Sequence, residues 1–213
     1  MKPIGKLKDI HKGYDIYVVA SGASAGYIEP SFFDNKFVIG VNQVWKRFNN
    51  LDYVVSKDAN SLGLTLGAAK LMGIKSIVSK HDCGTLTLSH NSGADYYFEH
   101  LDNEREKIDL SVVGTDKIVV SYSTITSAIH IAAYMGAANI IVVGHDCGKL
   151  DGELNMPGYP ESPMGTKFYS DFVGQIETST IQLRTRIKEV YGCNLYSLNP
   201  FVNFGIEGHK YEK

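Results

Sequence analysis

The stretch TITSAIHIAAYMGAANIIVVGHDCG, residues 124–148, contains both of the periods that decide the fold. Its segment Ser127–Met135 is rich in Ala and Ile and stops at Gly136, which is typical of a buried α-helix and its C-terminal stop signal. The run Asn139–Val143 is short, β-branched and apolar on both faces, as expected of a parallel strand covered by helices on both sides. A helix, a glycine and a buried strand in succession indicate an α/β sheet.

The same alternation runs through the rest of the chain. Further helices are predicted at Leu62–Met72, which stops at Gly73, and at Phe168–Tyr191, which stops at Gly192. The other predicted strands are Asp15–Ala20, Phe37–Val41, Tyr53–Ser56, Ser76–Val78, Lys117–Ser121 and Asn194–Leu198. We therefore predict an α/β fold built on a doubly wound, mostly parallel sheet.

The composition bounds the class of protein. The 213 residues are 44% hydrophobic with a formal net charge of −2, which indicates one globular domain over residues 1–213 and excludes intrinsic disorder. No apolar stretch approaches the roughly 18 residues of a membrane helix, and the N-terminus lacks the apolar core of a signal peptide. The 3 cysteines favour a reducing compartment, so we expect a cytoplasmic location. The near-neutral charge does not favour a nucleic-acid partner, without excluding a local basic patch.

Two segments interrupt the alternation. Residues 149–168 include DGELNMPGYPESPMGTK, which holds three of the six prolines and has no apolar period. Such a stretch inside a compact domain is usually a lid, a binding loop or a disordered segment, and we predict a lid. His81–Asp116 is polar and weakly periodic, and its charged run Asp102–Asp109 is typical of a solvated helix face.

An internal repeat adds a metal hypothesis. Residues 68–84 and 132–148 are identical at 8 of 17 positions, and each copy ends in HDCG after an apolar strand, by duplication or by convergence. His, Asp and Cys are zinc ligands, but the motif residues are adjacent and no CxxC or HxxxH spacing occurs, so we predict no metal site. Cys83 and Cys147 are interpreted as small buried residues, and His130 as a hydrogen-bonded core histidine.

Ligands of open parallel sheets bind outside the carboxyl ends of the strands, so the residues after each apolar run are candidates. The first is the turn SGASAG, residues 21–26, whose small residues let a phosphate approach the backbone or simply allow a tight turn. Asn42, Asp58 and Asn60 follow the next two runs. Their side chains suit a nucleobase or ribose edge, or else cap the segments that follow.

Hydroxyl and titratable groups follow the later runs. Thr126 and Ser127 stand at a predicted helix N-terminus, where they cap the helix and where the same helix end can hold an anion. His145 and Asp146 supply a histidine and a carboxylate for proton transfer. Asp146 also suits a ribose hydroxyl pair, and His145 also suits a hydrogen-bonded structural role.

The order of these motifs resembles a known group. Strand, S-G-A-S, V-N-Q, K-D-A-N, the stretch 124–148, a lid, a long helix and YGCNLYSLNPF are similar to the bacterial lipooligosaccharide sialyltransferases that use CMP-sialic acid. They are equally similar to motility-accessory-factor and archaeal 6-hydroxymethylpterin pyrophosphokinase-like domains. The resemblance covers residues 15–204 and implies a Rossmann-like, GT-A-variant fold. The candidate nucleotide-binding residues, which include those of the first turn, are Ser21, Gly22, Ser24, Asn42, Asp58, Asn60, Thr126, Ser127, Gly144, Asp146 and Gly148.

The resemblance also implies roles in transfer. Tyr159 or Tyr169 would take the place of the lid tyrosines that hold the leaving phosphate. The group's histidine base falls on Gln175, and its sugar-binding arginine falls on Thr124, so another base is needed. The candidate catalytic residues are His145, Asp146 and Asp171.

Three functions are carried forward. The leading prediction is a nucleotide-sugar-dependent glycosyltransferase with a CMP-sugar or other donor, a glycan or small-molecule acceptor, and no firmly implied cofactor. The second is a Mg²⁺-dependent phosphotransferase, pyrophosphokinase or nucleotide hydrolase. The third is a non-catalytic nucleotide-binding module, and homo-oligomers fit any of the three.

Overall fold

The computed structural model describes residues 1–57, 59–80, 93–101, 117–160 and 165–198, with the backbone alone for 59–61 and 165–172. Nine strands lie in this part of the chain: β1 Lys2–Pro3, β2 Asp15–Val19, β3 Phe37–Val41, β4 Tyr53–Ser56, β5 Lys75–Ser79, β6 Tyr96–Leu101, β7 Lys117–Val119, β8 Asn139–Val143 and β9 Asn194–Ser197. The α-helices are α1 Ala59–Met72, α2 Thr124–Tyr134 and α3 Gly165–Tyr191. Short 3₁₀ segments occupy Ile4–Leu7, Ala23–Tyr27, Pro30–Phe33 and Val44–Lys46.

The strands form one sheet in the order β1-β6-β5-β4-β3-β2-β8-β9, and β7, which lies off this path, pairs with β6. Every pairing between these strands is parallel. From β2 the chain builds outward through β3, β4, β5 and β6, then crosses back to place β8 on the other side of β2. The predicted doubly wound α/β fold is therefore confirmed, and the switch point lies between β2 and β8.

Each face of the sheet carries its own core. On one face, Val55 and Ile140 of the sheet pack with Ile129 of α2 and Leu183 of α3. On the other, Val19 and Val54 pack with Phe33, Phe48 and Ala69 of the 3₁₀ connections and α1. Because both faces are covered, the strands are apolar on both sides, as their sequences indicate.

His130 joins three elements of the first core. The backbone N–H of Val119 donates to its Nδ1 at 3.0 Å, and its Nε2 lies 2.9 Å from the hydroxyl of Tyr191. Burial lowers the pKa of His130 to about 3, so the ring stays neutral. The histidine thus ties β7, α2 and α3 together, as the core interpretation predicts.

The boundaries differ from the sequence predictions in a regular way. Each α-helix begins three residues before its predicted start, at Ala59, Thr124 and Gly165. The first turns carry few apolar residues, so the hydrophobic period starts later than the helix does. The connections that leave β2 and β3 use 3₁₀ segments rather than α-helices, and strands β1 and β6 were missed.

Candidate active site

The turn after β2 and the turn after β8 meet at the switch point. The backbone N–H of Gly22 donates to the carbonyl of Gly144 at 2.7 Å. A Cβ on Gly22 would lie 2.5 Å from that oxygen and 2.7 Å from Cγ of Asp146, so only glycine fits. Gly144 has a φ of +66°, and a Cβ at this position would lie 2.5 Å from the carbonyl oxygen of Ala20. Both glycines allow the two turns to touch.

Asp146 and Ser24 form the polar centre of this contact. Asp146 is 6% exposed, and its Oδ2 accepts a hydrogen bond of 2.8 Å from the backbone N–H of Ser24. Its Oδ1 accepts a second hydrogen bond from the Ser24 hydroxyl. The carboxylate is thus held in one orientation by two donors from a single residue, 122 positions away in the chain.

This contact changes the interpretation of the turn SGASAG. The N–H groups of Gly22 and Ser24, which a phosphate would need, donate to Gly144 and Asp146 instead. The 3₁₀ segment Ala23–Tyr27, which overlaps this turn, has five residues, too few to build a helix dipole. Ser21, Gly22 and Ser24 therefore lie together and form one side of the switch point, which we call its wall. The alternative of a tight turn accounts for their small side chains.

The described first part of the lid is docked on this wall. Asn155 pairs with Gly22 in an isolated antiparallel bridge, and the backbone N–H of Met156 donates to the Ser21 carbonyl at 2.8 Å. The Ser21 hydroxyl donates to Oδ1 of Asn155 at 3.1 Å. Met156 is 2% exposed within the second core. Residues 155 and 156 are therefore packed as part of the fold, and Tyr159 lies partly buried beside the same core.

His145 is buried behind the switch point. Its Nε2 lies 2.7 Å from the hydroxyl of Thr180, which itself donates to the carbonyl of Ile176 at 2.9 Å. Because that hydroxyl has one proton to give, Nε2 of His145 is the donor in the first contact. Burial lowers the pKa of His145 to about 4. A histidine of this kind is neutral at pH 7 and accepts a proton poorly there.

The neighbouring cysteine is not activated. Cys147 Sγ lies 3.9 Å from Nε2 of His145, and burial raises the pKa of its thiol. The thiol is therefore protonated near neutral pH, in keeping with a packing role. The first HDCG motif, His81–Gly84, lies outside the described residues, as does the charged run Asp102–Asp109. Within the described residues, no group of three or more His, Cys, Asp or Glu side chains is placed to hold a metal.

Asn42 stands at the carboxyl end of β3. Its φ of +52° is in the left-handed region that asparagine tolerates, and its N–H donates to Val55 of β4 at 2.9 Å. The segment after it, Val44–Lys46, is a 3₁₀ turn without a side-chain cap, so Asn42 does not cap a helix. Asp58 lies outside the described residues, and Asn60 lies on the first turn of α1.

The hydroxyls of α2 point into the protein. Thr126 donates to the Ser123 carbonyl at 2.7 Å and accepts from Ser121 at 3.1 Å. Ser127 donates to the Val119 carbonyl at 2.7 Å, and both residues are fully buried. Ser127 thus joins α2 to β7, and Thr126 joins α2 to the connection between them. The N-cap residue is Ser123, and its side chain makes no capping hydrogen bond.

The remaining candidates lie on or before α3. Asp171 and Tyr169 are on the first turns of this helix. Gln175 is exposed on the same helix. Gly148 is partly buried in the turn that leads into the lid. None of the helices in the described ranges is both long and apolar enough to cross a membrane.

Three residues of the carboxyl edge were missed by the sequence analysis. Lys57 follows β4 directly, Ser79 ends β5 and His100 lies near the end of β6. Lys57 is buried, and its Nζ donates to the Ser121 carbonyl at 2.9 Å. The position of Lys57 directly after an apolar run was the available signal, whereas β6 carried no clear strand pattern.

Comparison with known proteins gives matches in structure alone. No protein-family profile and no curated protein matches the chain. The sialyltransferase CstII from Campylobacter jejuni, solved in complex with a substrate analogue, cytidine-5'-monophosphate, matches with a TM-score of 0.55 and 13% identity, over 92% of this chain and 85% of that one. The MAf glycosyltransferase from Magnetospirillum magneticum AMB-1 matches with a TM-score of 0.54 and 10% identity, over 94% of this chain and 36% of that one. The chain therefore has the Rossmann-like α/β fold of these two glycosyltransferases, as the resemblance in its motifs implies.

Proposed function

We propose that the protein is a glycosyltransferase that uses a nucleotide-sugar donor. The observation that carries the proposal is the carboxylate of Asp146, fixed by Ser24 at the switch point where open α/β sheets bind nucleotides. The shared fold with a sialyltransferase that was solved with cytidine-5'-monophosphate supports it. The acceptor is a glycan or a small molecule.

Asp146 is assigned to the donor ribose. A carboxylate oxygen has two lone pairs, so an oxygen that accepts from Ser24 can accept a ribose hydroxyl as well. Because Ser24 already fixes the carboxylate, little side-chain entropy is lost when the donor binds. Asn42, whose amide both donates and accepts, is assigned to another polar edge of the nucleotide.

The transfer step needs a base for the acceptor hydroxyl. His145 suits this role poorly because burial keeps it neutral and its Nε2 proton is donated to Thr180. We assign the role to Asp171, with Asp146 as the alternative. The acceptor oxygen loses its proton to the base as it bonds to the sugar carbon. The bond from that carbon to the phosphate oxygen breaks, and the phosphate leaves with the electron pair.

The leaving phosphate is assigned to the lid. Hydroxyl donors from Tyr159 or Tyr169 would stabilise its developing charge. The chain has no DxD sequence of the kind that holds a metal in other glycosyltransferases, so we propose metal-independent transfer.

Nucleotide titration tests the proposal directly. Trp45 is the single tryptophan of the chain and lies three residues after Asn42. Its fluorescence is used to follow binding. CMP, UDP and ADP, with their sugar conjugates, should include one ligand that binds, and Asp146→Asn should weaken it about tenfold, the loss of one charge-assisted hydrogen bond. Asp151→Asn is the matched control, because Asp151 accepts a hydrogen bond from Tyr27 at the exposed surface.

Other outcomes separate the alternatives. If no nucleotide or nucleotide sugar binds, the proposal is wrong. Magnesium-dependent release of pyrophosphate or AMP from ATP would indicate a phosphotransferase or hydrolase. A nucleotide sugar that binds but stays intact with every acceptor would indicate a non-catalytic binding module.

A further inference from the structure

The end of the molecule opposite the candidate active site is formed by the amino ends of the parallel strands. Residues 2–14, which we call the strap, run across this end from the start of β1 to the start of β2. Helices α1 and α3 each return the chain to the start of a parallel strand, so their C-terminal ends lie here as well. The strap, the two helix ends and the strand starts together form one surface, which we call the amino-end surface.

Exposed apolar side chains are concentrated on the amino-end surface. Nine large apolar side chains are exposed in the described part of the chain. Six of them lie at this end, namely Met1, Ile10, Tyr14, Leu71, Met72 and Val190. Leu71, at the end of α1, is 90% exposed, and Tyr14, in the strap, is 61% exposed. Single exposed apolar side chains are common, but their concentration at one end indicates a surface that meets an apolar partner.

The same surface carries unpaired lysines. The strap contains four lysines, Lys2, Lys6, Lys8 and Lys12, and one aspartate, in a chain whose formal net charge is −2. All four lysines are exposed, and in the described ranges none of them makes an ion pair or a side-chain hydrogen bond. Lys70 and Lys75 are also exposed and flank Leu71 along the chain.

Acidic side chains also lie at this end, but most of them are engaged within the fold. Hydrogen-bond donors of the protein contact Asp15, Asp34, Asp52, Asp95 and Glu189. The carboxylates of Asp52 and Asp95, for example, accept from backbone N–H groups at 2.8 and 2.9 Å. Within the strap, only Asp9 stands against the four lysines. The charge that this surface offers to a partner is therefore positive.

The strap is held against the protein, so its outward side chains keep a fixed arrangement. The backbone N–H groups of Asp9, His11 and Gly13 donate to carbonyls at the end of α2, at 3.1, 2.9 and 2.9 Å. Ile4 and Leu7 of the strap are buried in the first core. A surface that is already ordered loses little conformational entropy when it binds.

We propose that the amino-end surface docks on an anionic lipid membrane. Lysines are attracted to the negative charge of such a membrane, and exposed aliphatic and tyrosine side chains enter the boundary between its head groups and acyl chains. A second copy of the chain fits less well, because a twofold contact would set the same lysines against each other. A nucleic acid would engage the lysines but would leave the exposed carbon atoms of Leu71 without a partner.

This inference goes beyond the proposed transferase function and does not depend on it. Strands β2 and β8 have five residues each, so they hold the candidate site roughly 16 Å from the amino-end surface. Docking would therefore leave Asp146 and the lid on the side of the molecule that faces away from the lipid.

Vesicle sedimentation of the whole chain tests the proposal. The vesicles contain phosphatidylcholine alone, or phosphatidylcholine with about a third phosphatidylglycerol. Leu71→Gln removes an apolar side chain from the surface. Leu64→Gln is its control, because Leu64 is also exposed but lies on the same helix about 10 Å further from the surface.

The lysines are tested by a pair of double variants. Lys8→Gln/Lys12→Gln neutralises two charges of the strap. Lys80→Gln/Lys149→Gln has the same net charge but alters the carboxyl end of the molecule, so it controls for charge alone. Circular dichroism and the urea midpoint check that each variant is folded.

We expect wild type to bind the anionic vesicles at least about tenfold more tightly than the neutral ones. Lys8→Gln/Lys12→Gln should weaken this binding about 30-fold, roughly fivefold for each lysine, and Leu71→Gln should weaken it about tenfold. Both controls should bind like wild type. In wild type, anionic vesicles should also protect Lys8 from acylation more than Lys149, a measurement that needs no variant.

Each other outcome overturns the inference. It is wrong if wild type does not bind anionic vesicles, or if the strap and Leu71 variants bind them as wild type does. Binding to duplex DNA that needs the lysines but not Leu71 would assign the surface to a nucleic acid instead. A dimer that Leu71→Gln dissociates, without vesicle binding, would assign it to a second copy of the chain.

The nucleotide titration with Trp45 fluorescence is a separate measurement. Nucleotide binding without vesicle binding refutes this inference and leaves the proposed function standing. Vesicle binding without nucleotide binding refutes the proposed function and leaves this inference standing.

Discussion

Acidification from pH 7.5 to pH 5.0 should destabilise the protein through its two buried histidines. Burial lowers the pKa of His145 to about 4 and that of His130 to about 3, from an ordinary value of 6.5. Below pH 6.5 the unfolded chain therefore binds protons that the folded protein does not, and stability falls as the pH falls. This stability is fully present above the unfolded value of 6.5 and is lost progressively towards pH 4 and below.

The size of the effect follows from these values. Integration of the proton uptake between pH 7.5 and 5.0 gives about 2 kcal/mol for each histidine, or about 4 kcal/mol together. Burial also lowers the pKa of His11, which adds in the same direction. Burial is the main reason why the pKa of Asp52 is raised. Protonation of this carboxyl group at lower pH therefore stabilises the folded protein, opposite to the histidines, so the measurement stops at pH 5.0.

The fall in unfolding free energy is measured by urea unfolding at several pH values, followed by the fluorescence of Trp45. His145→Gln keeps an N–H donor for Thr180 but does not titrate, so it should remove about half of the fall. The fall should persist in high salt, because buried groups are screened weakly. If His145→Gln leaves the pH dependence unchanged, or if NMR places the pKa of His145 near 6.5, the reasoning fails and His145 becomes a candidate base again.

Two further predictions concern the switch point and the lid. Gly22→Ala should cost about 1–3 kcal/mol in unfolding free energy and abolish nucleotide binding, because the added Cβ meets Asp146. Gly63→Ala, at an exposed position of α1 where nothing lies near the added Cβ, should instead raise the unfolding free energy by up to about 1 kcal/mol, and equal effects of the two would contradict the argument. Met156→Ala should undock the lid and speed tryptic cleavage at exposed Lys149 about tenfold. Unchanged cleavage would mean that Met156 does not anchor the lid.

The central strands were predictable because burial on both faces of the sheet requires apolar residues at every position. Phe37–Val41 and Asn139–Val143 are covered on both faces, so each is a continuous apolar run with sharp polar ends. Tyr96–Leu101 lies near the sheet edge and alternates incompletely, with a pattern of half-buried and buried residues that leaves no clear period. Lys2–Pro3 is too short to carry any period.

The proximity of the candidate residues was predictable, but their contacts were not. The rule that ligands bind at the carboxyl ends of parallel strands correctly brought Gly22 and Asp146 together. It could not foresee that Ser24 donates two hydrogen bonds to Asp146, because these residues are far apart in the chain. The hydrogen bond between His145 and Thr180 likewise joins two residues that no local pattern connects.

The switch point also has a consequence for the order in which the candidate residues come together. Strand β2 is complete by Val19, yet its partner β8 begins at Asn139, so the central pairing closes a very long loop. Parallel pairing over such separations is slow, because the chain loses conformational entropy before the favourable contacts form. A nascent chain that ends before Asn139 holds Ser24 but lacks Asp146. The contact between Ser24 and Asp146 therefore forms only when the second half of the chain has been made, and partly synthesised chains present an unpaired β2 edge that is prone to aggregation.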